Sequence, residues 1–127
     1  MANARPKPNG ARNRSGKESW NVPPRAVKIT SHVDGQIVPK GIITLTLQGY
    51  VRRLANEVLK ARILNVADEQ PIPGGQPADV QFGPLSGEWS HTFSPLTVGA
   101  SQSLLIEAFL DISPPGIGHQ VLVKGAP

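Results

Sequence analysis

Three histidines, His32, His91 and His119, and the carboxylates Asp34, Asp68, Glu69, Asp79 and Asp111 are the side chains best suited to hold a metal or move a proton. Their spacing does not assemble a site. No two histidines stand in a His-x-His or helical i,i+4 relation, and no loop has the dense run of oxygen ligands that calcium requires. Ser86, Ser90 and Ser94 lie in no Gly-x-Ser-x-Gly elbow, and Gly74-Gly75 and Gly116-Ile117-Gly118 read as turns rather than phosphate cradles. The chain has no cysteine, which removes disulfides, thiolate metal sites and cysteine nucleophiles. The expectation is a protein that is not an enzyme and takes no metal or cofactor.

Binding chemistry is concentrated at one end. Arg5, Lys7, Arg12, Arg14, Lys17 and Arg25 are opposed within the first 26 residues only by Glu18, a net of +5 in a chain whose total is +4. The same stretch holds Pro6, Pro8, Pro23, Pro24, Gly10 and Gly16, and Met1 and Trp20 are its only large apolar side chains before Val22. It cannot bury enough apolar surface to offset about 1 to 2 kcal/mol of backbone entropy per ordered residue. Residues 1–25 therefore read as an extended arm, disordered alone, that takes shape along an acidic partner. Arg5, Lys7, Arg12, Arg14, Lys17, Trp20 and Arg25 are its partner-binding residues, with Trp20 the aromatic anchor. A protein surface is the favoured partner. With a single aromatic residue the arm lacks the stacking platforms of single-strand binders, and it has neither helical periodicity nor zinc-ligand spacing for base readout. Nonspecific polyanion contact stays open, and specific nucleic-acid recognition is not expected.

The remaining residues, 26–127, must supply the scaffold. In a chain of 127 residues with thirteen Gly and thirteen Pro, one domain of short strands joined by turns is favoured over helices. The clearest strand is 42–48, where Ile43, Leu45 and Leu47 alternate with Thr44, Thr46 and Gln48, and Gly49 is expected to end it. Residues 50–66 fit two patterns. Arg53 and Glu57 form a helical i,i+4 pair, but the alternation of Leu59, Ala61 and Ile63 favours a loop followed by a strand over 58–66. Residues 68–87 are dense with Pro and Gly and read as surface connection with a brief edge strand at 80–82. Further strands are expected over 26–30, 36–38, 88–93, 104–110 and 119–123. Trp89 and Phe93 are the expected aromatic core. The fold class is all-β, a two-sheet antiparallel sandwich of about seven strands behind an extended N-terminal arm.

The order of these motifs resembles the bacterial and phage immunoglobulin-like (Ig-like) domains: a strand ending in Gly49, a Pro-rich stretch after Asp68, Gly87-Glu88-Trp89, and a later strand ending in Asp111. The resemblance covers residues 26–124. It departs at 52–57, which is more helical than the family's loop, and in lacking the paired cysteines and tyrosine corner of antibody-type domains. Such domains mostly act in adhesion, display or as spacers, so the resemblance implies binding or structure. The expected function is docking on a larger assembly such as a phage capsid or tail, as a decoration or accessory protein. A carbohydrate or cell-surface module, with Tyr50, Phe82 and Trp20 as its scarce platform residues, is the alternative; nonspecific polyanion binding is the second. No apolar run is long enough to span a bilayer and the N-terminus has no apolar core of a secretion signal, so synthesis in the cytoplasm and assembly into a virion are expected, with no membrane partner.

Overall fold

The computed structural model describes residues 25–127, which contain nine strands and no helix. They are β1 (Ala26–Ile29), β2 (Gln36–Val38), β3 (Gly41–Arg52), β4 (Val58–Asn65), β5 (Gln70–Pro71), β6 (Ala78–Asp79), β7 (Ser86–Val98), β8 (Ser103–Asp111) and β9 (Gly118–Gly125). One sheet has the order β1-β3-β7. The other runs β2-β9-β8-β4, with β5 and β6 each paired to β4. The sheets pack as a β-sandwich whose apolar faces meet. Leu45, Leu47, Val51, Trp89 and Phe93 face inward from the first, and Leu59, Ile63, Leu104, Ile106 and Val123 from the second. This follows from the period-two alternation along β3 and β8, which places every second side chain on the same face.

Three departures from the sequence reading have physical reasons. Gly49 does not end β3, which continues to Arg52 with β1 on one side and β7 on the other. A β-carbon at Gly49 would lie 2.5 Å from Trp89 Cζ2 and collide with the Lys28 carbonyl, so glycine is there to admit the indole rather than to break the strand. The strand expected over 88–93 is longer, because Pro95 is accommodated where the register shifts opposite Ile43 and Leu45. Pairing is also not wholly antiparallel: β2 runs parallel to β9. The chain crosses from the first sheet to the second between β1 and β2, through Gly35 at φ 86°, and Asp34 accepts a hydrogen bond from the Leu122 amide at 2.9 Å.

Residues 66–85 close one side of the sandwich. Ile72 and Val80 are buried, and the segment is stitched to β4 by Ile72 N–H to Ile63 carbonyl (3.1 Å), Ile63 N–H to Gly75 carbonyl (2.9 Å) and Val80 N–H to Leu59 carbonyl (2.8 Å). The brief edge strand anticipated at 80–82 falls instead at Ala78–Asp79. Residues 53–57 are a loop and 58–65 a strand, as the alternation favoured.

Candidate functional site

The place where the described residues begin is built by two arginines. Arg25 donates through Nε to Glu57 at 2.5 Å, and Glu57 also accepts the Ala55 amide at 2.8 Å. The Arg25 guanidinium, with the Ala55 N–H behind it, holds the Glu57 carboxyl at about 2, well below the usual carboxylate range. Since Ala26 pairs with Arg52, the chain enters the first sheet beside the 53–57 loop. Arg53 does not make the helical pair with the Glu57 side chain that the sequence allowed. Its guanidinium is buried and donates to main-chain carbonyls: Glu57 at 2.7 Å, Phe82 at 3.1 Å, Gly83 at 3.2 Å, and Pro84. It also lies over the Phe82 ring, 5.3 Å from the centroid. A planar fork of donors suits this clustering of carbonyls, and it ties the β3–β4 loop to the segment leading into β7.

Three apolar side chains are exposed near that place. Leu54, Val58 and Leu85 are 46%, 41% and 49% exposed. The Arg53 amide donates to the Leu85 carbonyl at 2.7 Å, which brings the loop carrying Leu54 alongside Leu85. The same end of the molecule holds the β8–β9 connection, since Val58 pairs with Asp111. There a cleft of about 600 Å3 is lined by Phe109, Ile117, Pro115, His119 and Arg62. Arg62 donates to Glu107 at 2.5 Å and stacks over Phe109 with its guanidinium carbon 5.0 Å from the ring centroid; Gln120 donates to the other Glu107 oxygen at 2.9 Å. This polar row crosses the outward face of β4, β8 and β9.

The sequence-derived site residues Arg5, Lys7, Arg12, Arg14, Lys17 and Trp20 lie outside the described residues. Arg25 lies within them, joined to Glu57. The two described platform residues are engaged locally: Tyr50 accepts a hydrogen bond from Arg52 at 3.0 Å beneath its guanidinium, and Phe82 packs on the core under Arg53. Each histidine has a structural neighbour. His119 Nδ1 accepts the Ile29 amide at 2.8 Å, His32 bonds to Ser31 at 2.8 Å, and His91 meets Phe93 edge-on at 4.7 Å. Burial lowers the pKa of His32 and His91. Among the described residues no group of three or more His, Cys, Asp or Glu side chains is placed to hold a metal ion, and no helix is long and apolar enough to cross a membrane.

No protein-family model and no curated protein matches this sequence. The features of the junction that sequence reasoning missed differ in how visible they were. Phe109 occupies a β8 position where alternation predicts a polar side chain, a signal present in the sequence. Leu54 and Leu85 lie in loops, where periodicity says nothing about exposure.

Proposed function

We propose that this protein is a non-catalytic docking module of the Ig-like type that attaches to a larger protein assembly, most concretely as a virion decoration or accessory protein. The observation that carries the reading is the surroundings of Arg25, the first described residue: Leu54, Val58 and Leu85 are exposed at the end of the sandwich that Arg53 and the Arg25–Glu57 pair tie together. Apolar side chains grouped beside a cationic segment make a surface that an acidic, partly apolar partner covers, whereas singly scattered apolar residues call for no explanation. Support for the Ig-like assignment comes from the strand order, with β1 in one sheet and β2 in the other, parallel to the last strand. Support for a structural role comes from Arg25, Arg53, Glu57, Arg62, Glu107 and His119, whose side chains hold loops and strands together. Tyr50 and Phe82, both engaged within the fold, weigh against a glycan platform.

Co-sedimentation of the purified full chain with capsids or tails assembled in its absence tests the proposal. The unaltered chain is expected to pellet with the particles. Replacing Arg5, Lys7, Arg12, Arg14 and Lys17 with Gln, or Leu54 and Leu85 with Asp, is expected to leave it in the supernatant while the melting curve is kept. Binding that ignores both sets of changes, or no binding by the unaltered chain, rejects the reading.

A further inference from the structure

The two sheets treat their edges differently. In the second sheet the edge strands are short: β2 has three residues and stops at Pro39, and β5 and β6 have two residues each. In the first sheet β7 has thirteen residues and, among the described residues, pairs with β3 alone. Natural sheets blunt such an edge with lysine, proline, a bulge or a covering loop. Among the described residues these devices sit only at the far end of β7, where Pro95 and the register shift lie and where the Thr97 amide donates to the Pro73 carbonyl at 3.1 Å. From Ser86 to Phe93 the strand has no lysine, and Glu88 is its only carboxylate.

The direction of the main-chain groups follows from the neighbouring pairs. Gln48 turns its amide and carbonyl toward β1: its carbonyl accepts Thr30 N–H at 2.9 Å, and its N–H donates to Ser31 Oγ at 2.9 Å. Because these groups alternate along a strand, Leu47, Gly49 and Val51 bond toward β7, opposite His91, Trp89 and Gly87. Glu88, Ser90 and Thr92 then direct their amides and carbonyls away from β3, into the open edge. Their side chains are exposed.

We infer that this edge is a self-association site, on which β7 of a second copy of the chain adds antiparallel about a two-fold axis at Ser90. The strand is self-complementary in that register. Ser90 faces its own copy, Glu88 faces Thr92 of the other chain, and each facing pair exchanges two main-chain hydrogen bonds. Centring on Glu88 instead sets carboxylate against carboxylate, and centring on Thr92 runs the pairing into the Pro95 irregularity. The product is one continuous sheet through both subunits. Arg25 and β1 lie at the opposite edge of the first sheet, whereas Leu85 stands directly before β7.

Sedimentation velocity over a concentration series, with amide hydrogen exchange on the full chain, tests the inference. A reversible dimer is expected, with protection at Glu88, Ser90 and Thr92 that rises with concentration. Ser90→Pro removes a donor that β3 does not use and is expected to abolish the dimer while circular dichroism stays native. Thr92→Glu, which sets like charges opposite, is expected to weaken association about fivefold, and Thr92→Lys to strengthen it by a similar factor. Should Ser90→Pro fail to fold, the opposed effects of the two Thr92 variants decide the matter. A chain that stays monomeric overturns the inference. So does protection of these amides that is independent of concentration, the result expected if the chain's own arm occupied the edge, and so does a dimer indifferent to all three substitutions.

Discussion

The β4 side of the sandwich and the β7 side solve the same problem in opposite ways. Beyond β4, residues 66–85 fold back, insert Ile72 and Val80 into the core, and satisfy β4's outward main-chain groups from Asp79 to Gln70. Beyond β7, the outward groups of Glu88, Ser90 and Thr92 meet no other strand among the described residues. The same connection thus gives β7 a single main-chain bond, from Thr97 N–H to the Pro73 carbonyl, and leaves the edge from Glu88 to Thr92 open among the described residues. Closing a side takes apolar plugs as well as main-chain partners, and the two buried plugs of the Pro-rich connection, Ile72 and Val80, both sit along β4. An open edge costs little in water, where amides are solvated, but it stays available to a second chain.

Substitution can break this contrast, and the largest effect is expected on the strand that carries the open edge. Trp89 points inward from β7 beneath Gly49, so Trp89→Ala is expected to lower stability by about 3 to 5 kcal/mol in urea unfolding. A near-native midpoint would show that the inner face of β7 contributes no more than its edge. Next comes the closed side. Ile72→Ala, at 2% exposure, is expected to cost about 2 to 5 kcal/mol and to speed exchange of the Ile63 and Val80 amides. If it proves neutral, the 66–85 segment is a passive cover rather than part of the core.

Acid should act on the junction between the two sides with a smaller effect. Glu57 falls from an ordinary 4.5 to about 2 on folding, so its contribution is complete above pH 4.5 and is lost as pH drops toward 2. His32 and His91, whose pKa values burial lowers, work in the same direction from about pH 6.5 downward, because the folded state favours their neutral forms. Stability measured against pH is expected to decline in two stages on acidification, and Arg25→Ala to remove most of the lower one. An unchanged lower stage in that variant would mean that Arg25 does not hold the carboxyl. The smallest effect belongs to the open edge: Ser90→Lys is expected to move the unfolding midpoint by no more than about 0.5 kcal/mol. A large loss there would mean that the edge is covered within the monomer.

Much of the scaffold was legible from side-chain alternation. The strands around Leu45, Ile63, Ile106 and Val121, and the burial of Trp89 and Phe93, follow from it, because a strand with one buried face has to place apolar residues at every second position. The all-β reading and the loop-then-strand reading of residues 50–66 rested on that pattern. The surroundings of Arg25 were far less legible. Arg53 and Glu57 stand four residues apart in the sequence, which suggests a helix, yet Glu57 is paired with Arg25 across 32 residues and Arg53 with carbonyls about thirty residues away.

What the sequence by itself determined is which side chains must leave water: alternation and composition are local, and the hydrophobic effect acts on them without regard to partner. Tertiary structure alone decided which main-chain edges were closed, why Gly49 lies inside a strand, and which carbonyls Arg53 gathers. Those outcomes depend on groups far apart in the chain meeting at hydrogen-bonding distance, and such meetings leave no periodic trace in the order of residues.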